Sequence, residues 1–124
     1  MSGKTILHVE DNEMNRKIVR ALLKRTTYKL IEAHDGEAGV AMALERLPDL
    51  ILMDIQLPRI SGLEAMRRLR AEPATAATPI VAITSFALSG DDKKAKEAGA
   101  TAYLTKPCSP FDLLKLIRKL LPEA

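Results

Sequence analysis

Asp49-Leu50-Ile51-Leu52-Met53-Asp54-Ile55-Gln56-Leu57-Pro58 decides the fold of this chain. Leu50 to Met53 is an unbroken apolar run that opens just after Pro48 and is stopped by Pro58. A run this short reads as a strand buried on both faces, as in a parallel sheet. Asp54 stands where the strand runs out. A carboxylate at the end of a buried strand is costly unless something there uses it. In open α/β sheets the carboxyl ends of the strands are where ligands and chemistry sit. On this stretch alone Asp54 is either a turn cap or a reacting group.

The flanking sequence repeats the same unit. Thr5 to Val9 reads as an apolar strand ending in Glu10-Asp11. Asn12 caps the following helix, whose apolar stripe is Ile18, Val19, Leu22 and Leu23. Tyr28 to Ala33 is a second strand, and Asp35 caps a helix that ends at Leu47 before Pro48. Beyond Asp54, Ser61-Gly62-Leu63-Glu64 is a capping box opening a helix that stops near Pro73. Pro79 to Thr84 is a fourth strand. Ser89-Gly90-Asp91-Asp92 is a second capping box, and Gly99 ends its helix. Thr101 to Thr105 is the fifth strand, and Ser109-Pro110-Phe111-Asp112 starts a last helix with proline at its first position. Five strand–helix repeats predict an α/β fold, a doubly wound parallel sheet with right-handed crossovers. All five strand ends then point one way and carry Glu10-Asp11, Asp54, Thr84 and Lys106.

At 124 residues the chain fits one domain, residues 1–124, with a real core. No apolar run is long enough to span a membrane, and Met1-Ser2-Gly3-Lys4 lacks a signal-peptide pattern. Cys108 is the single cysteine, which suits a reducing, cytoplasmic setting. The net charge is +3, with basic groups at Arg16, Lys17, Arg20, Lys24 and Arg25, at Arg67, Arg68 and Arg70, at Lys93, Lys94 and Lys96, and at Lys115, Arg118 and Lys119. Aromatics make up 3%, too few to stack on bases, so these cations read as solvated helix faces. Neither nucleic acid nor membrane is an expected partner.

The strand ends settle Asp54. Glu10, Asp11 and Asp54 would converge on one small region, where like charges oppose one another unless a cation sits among them. Hard oxygen ligands suit Mg²⁺, which keeps several waters and takes few protein ligands. Thr84 adds a hydroxyl and Lys106 an ammonium. Together these groups form a kit for accepting a phosphoryl group on a carboxylate.

The sequence resembles the receiver domains of bacterial two-component response regulators. The resemblance covers the whole chain. It rests on Val9-Glu10-Asp11-Asn12, on Met53-Asp54-Ile55-Gln56-Leu57-Pro58 with Gly62 after it, on Thr84-Ser85, and on Tyr103-Leu104-Thr105-Lys106-Pro107. It implies a flavodoxin-like (CheY-like) sheet of order 2-1-3-4-5 with five helices. It implies Asp54 as phosphoacceptor, Asp11 binding Mg²⁺ directly, Glu10 binding it through water, and the Gln56 backbone carbonyl completing the metal site. Thr84 and Tyr103 would be the switch pair, and Lys106 the phosphoryl-binding lysine. Asp49 to Glu64, with Glu10-Asp11-Asn12 and Phe86-Ala87, is similar to the single-domain cell-cycle regulators of α-proteobacteria. One departure is Glu10-Asp11 where the family often has two aspartates, which lengthens one arm of the site by about a methylene.

His8 within the first strand is expected to be half-buried, and His34 beside Asp35-Gly36 exposed. Neither has metal-ligand spacing with Cys108, itself read as a small packing residue. Met42, Met53 and Met66 read as core filler. Phe86, two residues after Thr84, is expected near the phosphoryl oxygens, and the Lys106–Pro107 bond is expected to be cis.

Two functions from different classes follow. The first is a phosphorylation-controlled switch with no output domain. It takes its phosphoryl group from a histidine kinase or a histidine phosphotransfer protein and acts by binding a downstream protein at the Ser89–Leu121 face. A variant of it is a receiver piece of a hybrid histidine kinase, acting as a relay. The second is a Mg²⁺-dependent phosphohydrolase with an aspartyl-phosphate intermediate. That enzyme needs an acid/base residue beside the nucleophile, which Gln56 cannot be, and there is no Gly-rich phosphate cradle. The chain is therefore read as no enzyme beyond self-phosphorylation and self-dephosphorylation.

Overall fold

The computed structural model describes residues 3–84, 91–105 and 109–123. Lys106, Pro107 and Cys108, with the expected cis bond, lie outside them, as do Phe86 and the Ser89 cap. Five strands and five helices alternate: β1 Thr5–Val9, α1 Glu13–Leu23, β2 Lys29–Ala33, α2 Gly36–Arg46, β3 Leu50–Asp54, α3 Gly62–Ala71, β4 Ile80–Thr84, α4 Asp91–Ala98, β5 Ala102–Thr105 and α5 Pro110–Leu120. The strands form one sheet of order β2-β1-β3-β4-β5, every pair parallel. The pairs Val9–Met53, Asp54–Ile83 and Thr84–Thr105 set the strand ends side by side.

Leu50 to Met53 are wholly buried because they alternate between two cores. Ile51 and Met53 pack with Leu7, Val9, Ile80 and Ala82 against Ala43 of α2, Met66 and Leu69 of α3, and Ala95 of α4. Leu50 and Leu52 pack with Ile6, Val81 and Ile83 against Val19 and Leu23 of α1 and Leu113 and Ile117 of α5. Each of the larger side chains, Val, Leu, Ile and Met, contributes about 1.5–3 kcal/mol on burial. The expected caps close the helices: Asn12 accepts from the Asn15 amide at 3.0 Å, Asp35 from Ala38 at 2.7 Å, Ser61 from Glu64 at 3.2 Å and Ser109 from Phe111 at 3.1 Å. Leu47 ends α2 in the left-handed region, φ 47°, and Pro48 then forbids continuation.

Several expectations are corrected. Tyr28 precedes β2 instead of opening it; its hydroxyl donates to the Leu121 carbonyl and its ring joins the α1/α5 core. β5 likewise starts one residue late, at Ala102, because the Thr101 hydroxyl accepts from the Ile80 amide at the entrance to β4. His8 is buried, not half-buried. Ile18 is 48% exposed, because the inward stripe of α1 centres on Arg16, Val19 and Leu23 and leaves Ile18 to one side. Two of the cations read as solvated are not. Arg16 is buried. Arg70 is half-buried and donates to the carbonyls of Gly99 (2.9 Å), Thr75 (3.0 Å) and Thr78 (2.6 Å), tying α3 to the starts of β4 and β5.

The C-terminal residues form a clasp over the β1–β2 edge. Thr27 donates to Glu123 Oε2 from its amide (2.9 Å) and hydroxyl (3.1 Å), Arg118 to Oε1 (2.8 Å), and Lys4 Nζ to the Pro122 carbonyl (2.7 Å). The Thr27 amide, with Arg118 and the Thr27 hydroxyl, holds the Glu123 carboxyl below its ordinary pKa. A depressed carboxyl adds stability above its unfolded pKa and loses it as pH falls through the folded one. Wild type is thus expected to lose more thermal stability than Glu123→Gln as pH falls from about 5 to about 3. Parallel curves for the two proteins would remove the clasp from the account of acid stability.

Candidate functional site

The sheet order reverses between β1 and β3, and the acidic residues straddle that point. Glu10 continues β1 by one residue, its amide donating to the Ala33 carbonyl at 3.0 Å. Its carboxylate accepts from the Asn12 amide at 3.3 Å. Asp54 closes β3 and accepts from the Gln56 amide at 2.9 Å. Glu10 is 1% exposed and Asp54 4%, while Asp11 is open to solvent. One oxygen from each of Glu10, Asp11 and Asp54 lies within 4.8 Å of the others. Two buried carboxylates and one open one, with no histidine or cysteine in the group, fit a hard cation reached from the Asp11 side.

The loop after Asp54 is drawn against α3. Ile55 donates to the Ile83 carbonyl at 2.8 Å, and its own carbonyl accepts from Leu57 at 3.1 Å and Gly62 at 2.9 Å. A Cβ on Gly62 would lie 2.1 Å from the Asp54 carbonyl oxygen. Only glycine allows α3 to start so close to the Asp54 backbone.

Thr84 is fully buried at the end of β4, and the Gln56 side-chain amide donates to its hydroxyl at 2.6 Å. Gln56 therefore reaches Asp54 through its backbone and Thr84 through its side chain. The resemblance assigned its carbonyl to the metal site; the side-chain bond to Thr84 is a further role. Tyr103 is half-buried, pairs with Ala82 and packs on the α3/α4 side of the sheet. Lys106 lies outside the described residues. Two residues that sequence reasoning passed over border the site. Arg16 donates to the Glu10 carbonyl at 2.8 Å. Met14, 64% exposed, shares with Ile18 an apolar stripe on α1 beginning three residues after Asp11. The spacing of Arg16 with Val19 and Leu23 was the available signal for the first.

A parallel sheet of this order with a carboxylate trio at its switch point defines a receiver. The chain matches the response regulator receiver domain family over residues 6–118 and belongs to it. It is thus a receiver domain of two-component systems, a phosphorylation switch. Among individual proteins, it is 39% identical over 121 residues to the polar-differentiation response regulator DivK of Brucella anthropi and of Brucella ovis, covering 98% of each chain. It is 36% identical to the receiver domain of a sensor histidine kinase from Pseudomonas aeruginosa, with TM-score 0.88, covering 95% of this chain and 97% of that one. That structure was determined with a magnesium ion coordinated in the active-site cleft. A chemotaxis response regulator of Vibrio cholerae superposes with TM-score 0.89 at 30% identity, covering 95% and 98%.

Proposed function

We propose that Asp54 is the phosphoacceptor, and that Glu10, Asp11, Asp54 and the Gln56 carbonyl hold the Mg²⁺ that transfer requires. The convergence of the three carboxylates within 4.8 Å carries this reading, and the magnesium in the Pseudomonas aeruginosa receiver supports it. Bound there, the cation would neutralise charge on the phosphoryl oxygens. One Asp54 oxygen attacks phosphorus as the bond to the donor leaves, the bonding pair going to the histidine nitrogen of a kinase or phosphotransfer protein. Glu10 and Asp11 are already gathered, and Asp11 faces solvent where a donor arrives. The exposed Met14 and Ile18 beside it give a protein donor an apolar foothold. No acid/base group is required, and the proposed chemistry stops at self-phosphorylation and self-dephosphorylation. One stable phosphoryl group per chain is expected from acetyl phosphate; repeated turnover of small phosphate esters would favour a phosphohydrolase.

Output is proposed to run through Thr84. Its bond from Gln56 weights the chain toward the unphosphorylated geometry. A phosphoryl group on Asp54 draws the Thr84 hydroxyl toward it and breaks that bond, and Tyr103, on the same face one strand over, turns into the space. The surface of α4, β5 and α5 then changes, within the Ser89–Leu121 face proposed for the downstream partner. Phe111 there is 83% exposed, and Lys94, Lys96, Lys115 and Lys119 are exposed, so partner binding is expected to weaken with salt. Thr84→Ala should still accept phosphate, while the gain in partner affinity, about 5–150-fold for couplings of this kind, should fall below about threefold. Gln56→Ala should raise the affinity of the unphosphorylated chain. A full gain retained in Thr84→Ala counts against this route.

The setting is proposed to be the cytoplasm; no helix among the described residues is long and apolar enough to cross a membrane. The likeness to DivK supports a role in cell-cycle or polarity control. The likeness to a sensor kinase's receiver favours a second reading, a relay passing its phosphoryl group onward. Transfer from phosphorylated chain to a phosphotransfer protein, without preferential partner binding, would mark the relay.

A further inference from the structure

Arg16 is the only buried lysine or arginine among the described residues, at 6% exposed. From the first turns of α1 its guanidinium reaches back to the loop after β1. Nη1 donates to the Glu10 carbonyl at 2.8 Å and Nη2 to Glu13 Oε1 at 2.6 Å. Nε is buried without a hydrogen-bond partner. A long side chain loses much rotamer freedom when fixed, and a buried orphan donor adds a further cost. A methionine on the same stripe as Val19 and Leu23 would bury this face of α1 without the orphan donor. Packing alone therefore does not account for an arginine here.

Its grip on Glu10 does. The backbone amide of Glu10 is held by Ala33, its carboxylate by the Asn12 amide and its carbonyl by Arg16. With that carbonyl fixed, the peptide joining Glu10 to Asp11 has one orientation, and so do the directions in which the two carboxylates leave the chain. We propose that Arg16 is a positioning residue for the cation site, acting through the Glu10–Asp11 peptide and touching no reacting atom. The proposal rests on the reading that Glu10, Asp11 and Asp54 hold Mg²⁺.

Two effects of Arg16 oppose each other in sign. Its positive charge repels a cation from the acidic group, so charge alone predicts tighter binding when it is removed. Its hydrogen bond preorganises the ligands, so positioning predicts weaker binding. Asp11 opens to solvent, where screening blunts the charge effect; residues that orient metal ligands typically change affinity by about 10–100-fold.

The test is Mg²⁺ titration of the unphosphorylated chain, read by amide shifts near residues 10–12 and 54, with thermal midpoints measured alongside. Arg16→Met is expected to bind Mg²⁺ about tenfold more weakly. Arg16→Lys should weaken binding by a similar factor, since an ammonium keeps the charge but lacks the fork spanning Glu10 and Glu13. Unchanged or tighter binding in Arg16→Met overturns the proposal, even if thermal stability falls, because that pattern is packing alone. Wild type failing to bind Mg²⁺ at these amides would overturn the cation-site reading and the proposal with it. If Arg16→Met does not fold, Glu13→Ala carries the test, removing the Nη2 acceptor from an exposed position. It should bind about threefold more weakly than Glu13→Gln, whose amide oxygen still accepts; equal affinities overturn the proposal.

Discussion

Asp54→Asn is expected to take up no phosphoryl group from acetyl phosphate or from a phosphorylated kinase. An amide oxygen is too poor a nucleophile to displace the donor, and the substitution leaves the shape of the site intact. Asp11→Asn, or removal of Mg²⁺ by a chelator, should reduce labelling to a small residue. Asp54→Asn should also raise the thermal midpoint in the absence of Mg²⁺, because it removes one of two neighbouring buried carboxylates. Mg²⁺ should in turn raise the thermal midpoint of wild type more than that of Asp54→Asn, since a cation stabilises only the state that binds it. Label on Asp54→Asn at the wild-type level would move the phosphoacceptor elsewhere.

Gly62→Ala carries the second large effect. The added Cβ would meet the Asp54 carbonyl oxygen at 2.1 Å and the Asp54 carbonyl carbon and Ile55 Cα at 2.8 Å. All three are backbone, so either the end of β3 or the start of α3 must move. A cost of about 3 kcal/mol is expected. What remains folded should phosphorylate at least about 100-fold more slowly, because a displacement near 1 Å at a reacting group is enough for that loss. Gly39→Ala is the milder comparison, since its Cβ would meet only the Val9 side chain, at 2.7 Å. Denaturant unfolding and an acetyl phosphate time course measure the two effects separately. Equal, small costs for both substitutions would remove Gly62 from the support of the site.

Much of this was legible because the signals are local. Leu50 to Met53 gave a two-faced strand directly, and Asn12, Asp35, Ser61 and Ser109 each announce a helix start by the chemistry of one side chain. Parallel strands then fix which residues share an edge, so Glu10, Asp11, Asp54 and Thr84 could be grouped from the alternation alone. The strand order was not readable from periodicity and rested on resemblance. Long-range pairings were hidden too. The Gln56–Thr84 bond joins residues whose side chains meet only once β3 and β4 are in register. Gly62 reads locally as part of a capping box, while its tighter constraint is the Asp54 backbone. Arg16 was masked by its charge, which outweighed its place on the Val19–Leu23 stripe.

The switch is tested most directly by following the chain's amide resonances while Mg²⁺ and beryllofluoride, standing in for the phosphoryl group, are added. Changes are expected at residues 10–12 and 54–56, at Thr84 and Tyr103, and on through α4, β5 and α5. The Tyr103 and helix changes should be lost in Thr84→Ala while those around Asp54 remain. Changes confined to the Asp54 pocket in wild type would contradict a switch routed through Thr84 and Tyr103.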